Sequence, residues 1–173
     1  LDPLSTDEIR DLLDPYIEDP GQICTHLAQL SRGNAFLVTQ AIRHLSPAIL
    51  NRSEQLSVDR MPMNGAELIS RLVDNLPHET RRLLSTASAI GTAFPIHVLA
   101  AIAKIDEALL ESFVDPAIQS RILSRVDRNL HFEHELLRQA LYRDLAAPDR
   151  LQLHARIAAH LSTGISADEN PAE

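Results

Sequence analysis

Apolar residues recur at three- and four-residue intervals along almost all of this 173-residue chain, and strand-like alternation takes over only once, between Ile122 and His134. A helical repeat with one strand-like stretch confines the chain to a mainly α architecture holding one small β element. The composition agrees. Hydrophobic residues make up 45% of the chain but aromatic ones only 3%, with no Trp, so the core has to be built from Leu, Ile and Ala.

Punctuation divides the repeat into segments. Ser5-Thr6-Asp7-Glu8 pairs a capping hydroxyl with a Glu three residues on, and Ile9, Leu12, Leu13, Tyr16 and Ile17 then fall on one face. Asp19-Pro20-Gly21 breaks that helix. A second helix, from Pro20 or Gly21 to Ser31, would bury Ile23, Leu27 and Leu30 and stop at Gly33, where a left-handed residue is needed. Asn34 caps a third, through Phe36, Leu37, Ala41 and Leu45, which should end before Pro47. Residues 46–63 read as a short helix or loop between subdomains.

Further helices are expected over 66–75, with Leu68, Ile69, Leu72 and Val73 inside, and over 78–90, entered through Leu76-Pro77, with Leu83, Leu84 and Ala87 inside and Gly91 as its stop. Two more span 96–103 and 106–119, the latter capped by Asp106 with Leu109, Leu110 and Phe113 buried. Residues 122–126 and 130–134 alternate as a hairpin about an Asp127-Arg128-Asn129 turn. A helix over 135–145 follows, with Leu136, Leu137, Leu141 and Tyr142 as its apolar positions, and then one from Pro148 to about Ser162 with Leu151, His154, Ile157, Ala158 and Leu161 on one stripe. Residues 163–173 read as a frayed tail or linker. This order predicts a helical subdomain over 1–65, a second domain of helices with one β-hairpin over 66–163, and a tail over 164–173. Helices followed by a two-stranded wing is the outline of a winged helix-turn-helix domain.

Charge and chemistry narrow the function. The formal charge is −8, but residues 1–20 carry −6 of it and residues 166–173 carry −3, which leaves the other 145 residues near neutrality. An acidic chain is a poor bare nucleic-acid binder. No apolar run approaches the length of a bilayer span. The single cysteine, Cys24, can form neither an internal disulfide nor a thiolate zinc site, as expected of a cytoplasmic chain, and mid-helix it reads as a buried, inert thiol. The chain opens at Leu1 without Met, as expected of a piece of something longer. No P-loop or dinucleotide fingerprint occurs among its five glycines, and there is no nucleophile elbow. His134-Glu135 begins like a zinc-protease helix, but Arg138 stands where the second His is required, and His131 and His134 at strand spacing would face opposite ways, so no metal site is expected.

Several segments together resemble a known family. Leu1-Asp2-Pro3-Leu4-Ser5, Gly33-Asn34-Ala35-Phe36-Leu37, Leu76-Pro77 through Gly91-Thr92-Ala93-Phe94, Phe132 to Tyr142, and Arg150 to His154 are co-linear with motifs of the signal-transduction (STAND) ATPase module. That AAA+-related switch occurs in large LuxR-type bacterial transcription regulators and in NB-ARC proteins of plant immunity. The resemblance covers nearly the whole chain and implies a helical AAA+ lid followed by a winged-helix domain. It implies that Gly33, Asn34 and Ala35 form the lid turn against adenine, and that His134 reaches the β-phosphate of ADP, with Arg32, Glu135 and Arg138 as accessory positions. Ala35 replaces the family's usual Pro, and Glu133 and Glu135 flank His134 where plant members carry Met and Asp.

The phosphoryl-transfer parts, a P-loop Lys and a Mg²⁺-holding acid, are not in this sequence, so the chain is expected to be no enzyme by itself. By resemblance, ATP or ADP with Mg²⁺ would be held by a nucleotide-binding domain preceding Leu1, in a longer protein that is an ATPase. Further domains would follow in the same chain, which would oligomerise on activation. Two other readings stand beside this one: a DNA-binding winged helix and a protein-interaction module without nucleotide sensing. The first fits poorly, because the helix over 106–119 carries Asp106, Glu107, Glu111 and Asp115 and no base.

Overall fold

The computed structural model describes residues 3–17, 20–50 and 61–168, which divide into two compact units, Leu1–Arg71 and Leu72–Glu173. The described residues are mainly helical, with one small antiparallel sheet of three strands.

The first unit contains α1 (Thr6–Leu13), α2 (Gly21–Ser31), α3 (Ala35–Leu50) and most of α4 (Gly65–Asp74). Its helix starts follow the local chemistry. At α1 the Ser5 hydroxyl accepts from the Glu8 N–H at 3.3 Å while a Glu8 carboxylate oxygen takes the Ser5 N–H at 2.8 Å, a complete capping box. Asn34 caps α3 by accepting from the Phe36 and Leu37 N–H groups. The core is Ile9, Leu13, Ile23, Cys24, Leu27, Leu30, Leu37 and Val38, with α1 and α3 both packed on α2. Leu12 and Tyr16 lie outside it, 43% and 64% exposed, because α1 ends at Leu13 and turns Ile9 and Leu13 inward instead. α3 runs through Pro47 to Leu50, past its expected end: the proline removes one backbone donor, and the helix carries on without that bond. Of the expected loop over 46–63, residues 51–60 lie outside the described residues.

The second unit is built around α5 (His78–Ile90), which packs on β1 (Ala93–Pro95), α6 (Ile96–Ala103), α7 (Glu107–Gln119), α8 (Glu135–Asp144) and α9 (Ala147–Asp168). The hairpin forms as β2 (Leu123–Val126) and β3 (Asn129–Phe132), with Leu123 opposite Phe132 and Val126 opposite Asn129. Its turn is Asp127-Arg128, and Asp127 has φ 55°. The sheet holds one strand more than expected, since β1 pairs with the other side of β3 in the order β1-β3-β2. Only three residues long and ending in a proline that an edge position tolerates, β1 has no alternation from which it could be read. Phe94 and Phe132 meet beneath the sheet with ring centroids 6.0 Å apart.

Two apolar stripes are rotated from their expected phase. On α7, Leu109 is 53% exposed while Leu110, Val114 and Ala117 are buried. On α9, Leu151 is 73% exposed, Leu161, His154 and Ala158 are exposed as well, and Leu153 is the residue that enters the core. The helix also continues to Asp168, where a tail was expected; residues 169–173 lie outside the described residues. Among the described residues no helix is long and apolar enough to cross a membrane.

Candidate functional site

The residues singled out from sequence fall into two groups, one in each unit. In the first unit they form the turn between α2 and α3. The left-handed stop begins one residue earlier than expected: Arg32, exposed, has φ 50° and ψ 37°, and Gly33 follows with φ 75°. Two successive left-handed residues reverse the chain, and the buried Ser31 hydroxyl holds the reversal by accepting the Gly33 N–H at 3.1 Å. The Gly33 carbonyl then takes the Leu4 N–H at 2.8 Å. A Cβ on Gly33 would stand 2.6 Å from the Pro3 Cβ and 2.8 Å from the Leu4 carbonyl oxygen. The room left by the missing side chain is therefore filled by the chain's own N-terminal segment. Asn34 is half-buried at its capping position, and Ala35 is exposed at the first position of α3, a place that favours proline.

In the second unit His134 is not on β3, which ends at Phe132. It is the N-cap of α8, extended at φ −147° and ψ 138°, with its Nδ1 accepting the Leu136 N–H at 3.2 Å. A ring nitrogen that accepts cannot carry the proton, so Nε2 is the N–H of this imidazole. Glu135, the first residue of α8, is gripped on both carboxylate oxygens. Arg138 Nε reaches them at 2.9 and 3.1 Å, Gln139 Nε2 donates at 3.1 Å, and the Thr92 hydroxyl donates at 3.0 Å. Arg138 Nη1 donates to the Ser88 carbonyl at 3.0 Å, which ties α8 to the last turns of α5. Arg138 above all, with the Gln139 and Thr92 hydrogen bonds, holds the Glu135 carboxyl below its ordinary 4.5, at about 2. The same contact holds the guanidinium pKa up.

The structure thus brings Glu135 and Arg138 together beside His134, and Gly33 and Asn34 together in a turn backed by Pro3 and Leu4. Arg32 and Ala35 stay at the surface of that turn. Thr92 and Ser88 were not legible as partners of the second group, since they stand 43 and 50 residues before Glu135 and Arg138 with no local pattern linking them. Ser31, two residues before Gly33, had a local signal, a hydroxyl able to close a tight turn. A third cluster joins α8 to α9: Tyr142 Oη meets His154 Nε2 at 2.9 Å, and the Arg150 guanidinium lies 5.4 Å from the Tyr142 ring centroid. Cys24 is fully buried and burial pushes its thiol pKa up, the condition of an unreactive cysteine. Among the described residues no group of three or more His, Cys, Asp or Glu could hold a metal ion.

A scan against protein-family models finds no match to this chain, and a search of the curated proteins finds none either.

Proposed function

We propose that the chain is the lid and winged-helix portion of an ATP/ADP-switched signalling ATPase of the STAND class, acting in transcription regulation in the cytoplasm. It would close over nucleotide held by a P-loop domain elsewhere in the longer protein. The observation that carries this reading is the element order of the second unit. The order α5-β1-α6-α7-β2-β3, with its sheet in the order β1-β3-β2, supports a winged-helix reading, and the Gly33-Asn34-Ala35 turn of the preceding helical unit supports a lid by its resemblance to the family's motif.

By resemblance His134 is the residue that would reach the phosphate, and the Glu135 carboxylate beside it is paired with Arg138. The Gly33 Cβ face is filled by Pro3 and Leu4, so Asn34 and the exposed Ala35 are the positions of this turn that would meet adenine. The nucleotide, with Mg²⁺, supplies the anion whose exchange drives the switch, and this chain's part is to favour one arrangement by contacts made only in it. Binding of DNA is the weaker reading, because Asp106, Glu107 and Asp115 are exposed along α7 and Glu111 pairs with Arg125.

The test is His134→Ala in the protein that includes the P-loop domain. ADP dissociation is expected to accelerate about tenfold or more, as for loss of one charged hydrogen bond, with basal signalling output raised. Unchanged ADP release and output would overturn the assignment.

A further inference from the structure

The turn between α2 and α3 is held partly from outside itself. Its reversal uses two successive left-handed residues, and the first of them, Arg32 at φ 50°, carries a side chain that disfavours the conformation. From within the turn, Ser31 supports the reversal by taking the Gly33 N–H on its hydroxyl at 3.1 Å and the Asn34 N–H on its carbonyl at 3.0 Å. The rest of the support comes from the segment before α1. The Leu4 N–H donates to the Gly33 carbonyl at 2.8 Å, and the Pro3 Cβ lies 2.6 Å from where a Cβ of Gly33 would stand. Gly33 is buried and Pro3 exposed, so the segment lies over the turn as a strap with its outer side in solvent. Asn34 follows at once and caps α3 through the Phe36 and Leu37 N–H groups, so the places of Asn34 and Ala35 are set by the turn.

Resting on the reading of this turn as the one that meets adenine, we infer that Pro3 and Leu4 are positioning residues for the base. Seated on Gly33, the strap keeps Arg32 and Gly33 left-handed and Asn34 and Ala35 in register, and a displacement of the segment before α1 passes directly to the turn. It acts through the Gly33 carbonyl and through the side of Gly33 that lacks a Cβ, without touching nucleotide itself. In that reading the nucleotide-binding domain precedes this segment, so a shift of that domain against the lid pulls on the strap and loosens the contact with the base. The strap therefore governs which base is held.

The experiment compares ADP and GDP binding by calorimetry in the intact protein with its P-loop domain, together with amide exchange over residues 31–36 and a thermal melt of every variant. Leu4→Pro removes the donor and puts a ring carbon where the N–H meets the Gly33 carbonyl. Exchange at the Gly33 and Asn34 amides is expected to rise about tenfold, and the preference for ADP over GDP to fall about fivefold or more, as for loss of one hydrogen bond. Pro3→Gly should move both in the same direction, whereas Pro3→Ala, which keeps the carbon that rests on Gly33, should stay within about twofold of the parent. Parent-like exchange in a Leu4→Pro protein that melts cooperatively overturns the inference. So does a loosened turn with its base preference intact, in a protein whose Ala35→Glu variant has lost that preference. Should Leu4→Pro fail to fold, Pro3→Gly decides, and parent-like exchange and preference in it overturn the inference. Failure of the underlying reading looks different: Ala35→Glu then leaves the preference for ADP over GDP unchanged, and the strap's part in base selection falls with it.

Discussion

At the scale of single residues, Gly33 carries two separate constraints: its left-handed φ favours glycine, and the close approach of Pro3 and Leu4 leaves no room for a Cβ. Its φ of 75° is a conformation that costs an L-residue about 1–2 kcal/mol, and the position of a Cβ is already occupied by Pro3 and by backbone atoms of Leu4, which cannot swing aside as a flexible side chain would. Gly33→Ala is therefore expected to destabilise the chain by about 2–4 kcal/mol in urea denaturation. Asn34→Ala, which loses only the cap of α3, should cost about 1 kcal/mol. If the two variants cost the same, the close approach of Pro3 and Leu4 to Gly33 is wrong. The need for glycine was legible from its place between two helical patterns. The second reason was not, because nothing in Pro3-Leu4 announces a partner thirty residues away.

At the scale of elements, starts were more legible than faces. Ser5, Asn34 and Asp106 cap as their side chains dictate, since a cap is satisfied by the backbone two or three residues on and needs no tertiary partner. A face is decided by whatever packs against it. On α9 the residues 151, 154, 158 and 161 make an apolar stripe as regular as a core stripe, yet Leu153 is the one that is 4% exposed. Its neighbour Arg156 donates to the Ile102 carbonyl at the end of α6, which sets the rotation of α9 on the body. The consequence is a pair of leucines two residues apart with opposite worth. Leu153→Ala should cost about 2–4 kcal/mol, as for a buried leucine, and Leu151→Ala should stay within about 0.5 kcal/mol. Urea denaturation of both variants checks this, and a larger loss for Leu151 would return α9 to the phase its sequence suggests. β1 was hidden for the opposite reason, being too short for any period and made a strand by the neighbour it pairs with.

At the scale of the whole molecule, the concentration of acid at the chain's ends says little about where acid is felt. Carboxylates held below their ordinary range occur in both units: Glu8 by the Ser5 backbone and hydroxyl, Glu67 by the Met63 N–H and Arg71, and Glu135 by Arg138. A carboxyl whose folded pKa lies below its unfolded one contributes stability that is complete above the unfolded value and disappears as pH falls toward the folded value. For Glu135 that window runs from about 4.5 down to about 2. Its side chain is 40% exposed, so solvent screening reduces the contribution to about 1 kcal/mol, well below what the size of the displacement would give in a dry site. Stability measured by urea denaturation should accordingly be level from pH 7 to about 5 and fall below 4.5. Glu135→Gln should start about 1 kcal/mol lower at pH 7, and the gap should narrow below about pH 4.5 and close only as pH falls through about 2, where the Glu135 carboxyl is protonated in the folded state as well. Parallel curves with a constant offset would mean that the Glu135 contacts to Arg138, Gln139 and Thr92 act by packing rather than charge.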